Sequence, residues 1–175
     1  EIRIREMIGG GVDILDIGAA SSKPGSKAIP VELETERIAK AVKIARQISP
    51  EVLISVDTYR ASVAAKALEL GASMVNDISA GVLDEAMVPL VQSAGVPYII
   101  MHMRGTPEDM NIAQNLMYND LAADIIRFFA ERIHFLHQHG IHQLIIDPGF
   151  GFSKNVQLNF ELLRKLPLFQ IIETP

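Results

Sequence analysis

Short apolar runs alternate with longer amphipathic stretches along this chain. Five runs read as buried strands: 12–18, 52–57, 73–79, 97–103 and 142–147. Most are rich in Val, Ile and Leu and bounded by turn residues. Between them apolar positions recur at helical spacing. Val31, Ile38, Ala41, Val42 and Ala45 fall on one face of 31–47, and Glu32, Glu34 and Glu36 occupy the first turns, where the helix dipole favours them. Helices are also predicted over 1–8, 58–70, 84–94, 117–139 and 156–166. Glycines stop most of them: Gly9 to Gly11, Gly71, Gly95 and Gly140. The triple glycine precedes a strand and does not follow one, so it reads as a helix stop and not as a phosphate loop. Two stretches lack periodicity, 19–30 and 104–114. The first is longer than an ordinary strand-to-helix connection, which points to a functional loop.

A strand–helix unit repeated five times predicts a parallel sheet with helices outside it, in one domain over 1–175. Every strand ends in polar residues: Asp16, Asp57, Asn76, His102 and Asp147. Convergence of such ends on one centre marks the active face of a (β/α) barrel, whereas a doubly wound sheet concentrates them at one switch point. Five strands do not close an eight-stranded barrel. The central stretch is 144–154, Leu-Ile-Ile-Asp-Pro-Gly-Phe-Gly-Phe-Ser-Lys. There an apolar run ends abruptly in Asp147, and proline and glycines turn the backbone. Phe150, Phe152 and Lys154 follow within reach. A carboxylate at the end of a buried strand is costly unless something pairs with it. The partner is either a ligand or the backbone of the next turn.

Composition narrows the function classes. Hydrophobic residues make up 49% of the chain, enough for a sizeable core. The net charge of −5 argues against nonspecific binding to nucleic acid or to an anionic membrane. With no cysteine, neither a disulfide framework nor a thiolate metal site is possible, which fits a reducing cytoplasm. No apolar run reaches the ~18 residues of a membrane span.

Asp57, Asn76 and Asp147 would lie at one end of three strands. Carboxylates accept hydrogen bonds and an amide both donates and accepts, so together they suit the edge of a flat, nitrogen-rich heterocycle. Alternatively, Asp57 and Asp147 would share a divalent metal through oxygen. His134, His137, His139 and His142 are close in sequence, but they sit at a helix C-terminus and in the turn after it, where cationic or polar residues belong. His102 is either a ligand contact or a wall residue. Ser21, Ser22, Lys23, Pro24 and Gly25 supply hydroxyls, a cation and a rigid turn, either for closing over an anion or as an ordinary solvated loop.

Four segments carry a family resemblance: Asp-Pro-Gly-Phe-Gly-Phe-Ser-Lys (147–154), Met-His-Met-Arg-Gly-Thr-Pro (101–107), Ser-Val-Asp-Thr-Tyr (55–59) and Asn-Asp-Ile-Ser (76–79). In this order they resemble dihydropteroate synthase, a pterin-binding TIM (β/α)8 barrel family, from end to end of the chain. The resemblance implies the second to sixth βα units of that barrel, incomplete at both ends. It implies condensation of 6-hydroxymethyl-7,8-dihydropterin pyrophosphate with p-aminobenzoate, giving dihydropteroate and pyrophosphate. Asp57, Asn76, Met101 and Asp147 would hold the pterin, with Asp57 and Asp147 stabilising a pterin cation. Ser22, Lys23, Pro24, Gly151 and Phe152 would line the p-aminobenzoate and pyrophosphate side. Mg2+ is implied as cofactor, with its asparagine ligand outside this span and no metal ligand within it. The family's pterin lysine and pyrophosphate arginine also have no counterpart here, and a homodimer is implied for the complete protein. The first loop departs from the family's Glu-Ser-Thr-Arg-Pro-Gly, because Ala20 removes a carboxylate and Lys23 lacks the bidentate fork of arginine. A pterin-binding methyltransferase-type domain and a pterin-binding chain without catalysis stand as the alternatives. Residues 1–175 alone are expected to be poorly soluble or partly molten and not to catalyse the condensation.

Overall fold

The computed structural model describes residues 1–20 and 29–175. Among them, five strands alternate with helices: α1 (Ile2–Gly9), β1 (Ile14–Gly18), α2 (Val31–Ile48), β2 (Leu53–Asp57), α3 (Ala61–Glu69), β3 (Met74–Asp77), α4 (Met87–Ala94), β4 (Tyr98–Met101), α5 (Leu121–Gln138), β5 (Leu144–Asp147) and α6 (Val156–Lys165). Short 3-10 turns precede α5 and follow α6. All four strand pairings are parallel, and the order in the sheet is β1-β2-β3-β4-β5. Right-handed crossovers taken in strict sequence send every helix to the same face of the sheet. That is the wall of a barrel. A doubly wound sheet needs a reversal of order, and these five strands have none. Within the described residues β1 and β5 are edges, so the wall is open as the strand count predicted. The Ile146 N–H on the outer edge of β5 bonds the Pro175 carbonyl at 2.7 Å.

Alternation along each strand sorts the residues. Leu15 and Ile17, Ile54 and Val56, Val75, Tyr98 and Ile100, and Leu144 face the helices. They form a buried core with Ile38, Val42 and Ala45 of α2, Ala64 and Ala67 of α3, Val88 and Val91 of α4, and Ile125 and Phe129 of α5. The opposite face carries Asp16, Gly18, Ser55, Asp57, Met74, Asn76, Met101 and Asp147, as the register fixes.

Several elements are shorter than predicted, and at four of the boundaries a side chain takes over backbone groups. Asp120 accepts the N–H groups of Ala122 and Ala123, so α5 begins at Leu121 and not at 117. The Arg60 N–H bonds Thr58 Oγ1 and the Ala61 N–H bonds Asp84 Oδ2, which delays α3 to Ala61. Asp84 also accepts the Ala86 N–H, and α4 starts at Met87. β3 stops at Asp77, whose carboxylate turns the chain by accepting the N–H groups of Ser79 and Gly81. β4 stops at Met101.

Candidate functional site

Register brings the polar strand ends together. Gly18 pairs with Asp57 and Asp57 with Asn76 across the first three strands. Met101 pairs with Asp147 across the last two, one pleat nearer the carboxyl ends. All five are on the face turned away from the helices. A Cβ in place of the Gly18 hydrogen would stand 3.0 Å from Asp57 Oδ2 and press on that carboxylate. The Asn76 amide Nδ2 donates to both carboxylate oxygens of Asp16, at 3.5 and 3.4 Å. Burial, and after it the nearby charges of Asp16, Glu34 and Asp77, pushes the Asp57 carboxyl up to about 7. Near neutral pH this group either donates or accepts a hydrogen bond, according to what the ligand presents.

The turn after β5 is built around a buried cation. Lys154 Nζ donates to the carbonyls of Gly149 and Phe152 at 3.0 and 2.9 Å and to His102 Nδ1 at 3.1 Å. Burial holds its ammonium down to about 7, against the opposing attraction of Asp147. Burial also pushes His102 down to about 3, so its neutral ring offers Nδ1 as an acceptor. Asp147 Oδ1 accepts the Gly149 N–H at 2.8 Å, and its backbone carbonyl accepts the His102 N–H at 3.0 Å. Gly149 adopts φ 74°, and a Cβ there would run into the His102 carbonyl. Gly151, at φ 83°, has nothing within 4 Å of where a Cβ would stand. Phe152 is half-buried beside it. The Arg104 guanidinium lies 3.8 Å over the Tyr118 ring, and the Arg104 N–H bonds Ser153 Oγ at 2.9 Å. The stretches 101–107 and 147–154 are therefore locked to each other.

Four residues singled out from sequence, Asp57, Asn76, Met101 and Asp147, share one face and one end of the sheet. Gly151 and Phe152 stand in the turn beyond Asp147. Ser22, Lys23 and Pro24 lie outside the described residues. His102 does not join the polar face: as the residue after Met101 it points to the helix side, where its ring meets Phe128 edge-on at 5.0 Å. It is a wall residue. The sequence marks Asp16 as a converging strand end and Lys154 as near Asp147, but assigns neither of them, nor Gly18, a role in the site. Asp16 was visible as a strand-end carboxylate, but its partner two strands away is set by register. Lys154 carried no signal of burial. The rings of His137 and His142 lie 5.0 Å apart, yet among the described residues no three Asp, Glu or His side chains are gathered to hold a metal ion.

A family model described as "Pterin binding enzyme" matches residues 2–175. The chain belongs to this family. Dihydropteroate synthase from Synechocystis is 39% identical over 166 residues, covering 93% of this chain and 56% of that protein. Dihydropteroate synthase from Yersinia pestis, solved with a sulfonamide drug complex, superposes with a TM-score of 0.92 at 33% identity over 99% of this chain and 63% of its own. The Thermus thermophilus enzyme in complex with 4-aminobenzoate superposes with a TM-score of 0.86 at 37% identity, over 99% of this chain and 65% of its own. The chain thus spans less than two thirds of the length of each of these relatives. The pterin-binding fold is the (β/α) barrel that the strand order describes.

Proposed function

We propose that this protein is a dihydropteroate synthase and that the polar face of its sheet takes the pterin ring. The observation that carries the reading is the placement of Asp57, Asn76 and Asp147 on one face at the carboxyl ends of their strands, beside the apolar Met101. The aminopyrimidine edge of a pterin offers both donors and acceptors in one plane. Two carboxyls and an amide match such an edge. The open space at Gly151 and the ring of Phe152 suit the flat aryl group of p-aminobenzoate.

In the condensation the C–O bond to pyrophosphate breaks and leaves positive charge on the pterin methylene. The arylamine nitrogen then forms the new C–N bond and gives up a proton. Such a step needs charge stabilisation and alignment more than a strong base. Asp57 and Asp147 supply negative charge beside the ring, and Met101 excludes water from its flank. Mg2+ belongs to this proposal through the family resemblance alone. Among the described residues no cluster of His, Asp or Glu is gathered to hold it. Homodimerisation and a cytoplasmic setting stand on the same resemblance. None of the described helices is long and apolar enough to cross a membrane.

The test uses the protein expressed from its whole coding sequence. Given the pterin pyrophosphate and p-aminobenzoate, it should release dihydropteroate and pyrophosphate. In calorimetric titration Asp147→Asn should weaken pterin binding at least about tenfold, because one acceptor becomes a donor and leaves a ring N–H unpaired. Absence of condensation would overturn the proposal, and methyl transfer from a pterin would replace it. Unchanged affinity in the variant would remove Asp147 from the site.

A further inference from the structure

Asp16 is a third carboxylate on the polar face, on the far side of β2 from Asn76. It sits on β1, two strands away from Asn76 on β3, with β2 between them. Its two oxygens nonetheless both face the Asn76 amide nitrogen, at 3.5 and 3.4 Å. An ionised carboxylate has only acceptors, so it satisfies the NH2 end of an amide and repels the carbonyl end. Among the described residues Asn76 Oδ1 has no hydrogen-bond partner. The amide is therefore held in one of its two orientations, with the acceptor end left for something else. We propose that Asp16 is a positioning residue: it fixes the Asn76 amide so that Oδ1, not Nδ2, is offered to the bound heterocycle. This rests on the pterin reading of the site and deepens it, because it says which hydrogen-bonding sense the ligand must present at that point. The ligand atom opposite Asn76 has to be an N–H donor.

A double-mutant cycle tests the inference, with pterin affinity measured by calorimetry on the whole protein. Asn76→Ala should weaken binding at least about tenfold, as loss of a ligand hydrogen bond does. Asp16→Ala should weaken it about three- to tenfold, because binding must then order the freed Asn76 side chain, in its rotamer as well as in which end it presents. The decisive measurement is the double variant. If Asp16 acts through Asn76, Asp16→Ala/Asn76→Ala binds no worse than Asn76→Ala alone, which a merely structural role for Asp16 would not produce. Asp16→Asn, which keeps the shape and an acceptor oxygen, should recover part of the loss and guards against a folding defect in the alanine variant. Independent, multiplying losses in the double variant would overturn the inference, as would wild-type affinity in Asp16→Ala. Failure of the wild-type protein to bind pterin at all would overturn the underlying reading of the site as well, and the wild-type titration separates that result from the others.

Discussion

Asp57 should make the protein less stable as pH rises, and the effect should vanish in Asp57→Asn. Its carboxyl is raised from 3.8 to about 7, first by burial and then by Asp16, Glu34 and Asp77. Between those values the folded protein holds a proton that the unfolded chain has released. Stability therefore falls as pH climbs from about 4 to about 7, and it is level above that. At ~1.4 kcal/mol for each pH unit the full displacement is worth at most about 4 kcal/mol. Asp57 is half-buried, and water screens part of the interaction, so about 2 kcal/mol is the expected size. The assay is urea denaturation of wild type and Asp57→Asn at pH 4.5 and at pH 8. Other titrating groups are common to both proteins and cancel in the difference. The variant should gain about 2 kcal/mol relative to wild type across the interval. Saturating pterin should then stabilise the wild type and leave the variant unmoved. Parallel pH profiles for the two proteins would refute the reasoning, because they would mean that Asp57 is an ordinary solvated carboxylate.

Three further outcomes are expected. Gly149→Ala combines a φ of 74° with a Cβ against the His102 carbonyl, so it should lower stability by about 2–4 kcal/mol, whereas Gly151→Ala, in open space at φ 83°, should cost about 1 kcal/mol and act chiefly on p-aminobenzoate affinity; denaturation midpoints and substrate titrations separate the two. Lys154 is held down to about 7 from 10.5, so its burial costs stability below that range and the cost is relieved as pH rises from 7 to 10; Lys154→Met should lack this rise, as urea midpoints at pH 7 and pH 10 would show. Among the described residues the outer edge of β1 is open and that of β5 is met by the Pro175 carbonyl at Ile146, so residues 1–175 expressed alone should scatter light as aggregates.

The fold was legible because five apolar runs recur along the chain, four of them preceded by a glycine stop, and that rhythm admits little besides sequential parallel strands. Element boundaries were less legible. At Asp77, Asp84 and Asp120 a carboxylate takes backbone N–H groups and ends or starts an element, and periodicity does not register such a bond. The site was legible where a polar residue closes an apolar run, as at Asp57 and Asp147. It was illegible where the deciding fact is a contact across strands. Asp16 meets Asn76 only because β1, β2 and β3 share a register, and Lys154 is buried only because the turn folds back on His102.

The pleat explains why neighbouring polar residues have opposite fates. Asn76 and Asp77 are adjacent on β3, and either would serve as a ligand for a polar heterocycle. Successive side chains of a strand point to opposite faces, so only one of them reaches the inner face. Asp77 goes outward and is fully buried, with the Ser79 N–H and Oγ, the Gly81 N–H and the Tyr98 hydroxyl all on its carboxylate at 2.7 Å. With its acceptors taken, it holds the turn. Asn76 goes inward, is half-buried, and spends only its NH2 end on Asp16. The same parity separates Met101, which faces Asp147 across the register, from His102, which props Lys154. Satisfied polar groups on the helix side hold the loops, and incompletely paired ones on the other side await a partner. A face that carries three carboxylates and an amide is poorly paired for a folded protein by itself, and the displaced Asp57 carboxyl is a direct sign of that. A bound heterocycle with matching N–H groups removes the penalty, which is why stability and pterin affinity should move in opposite directions when Asp57 is changed.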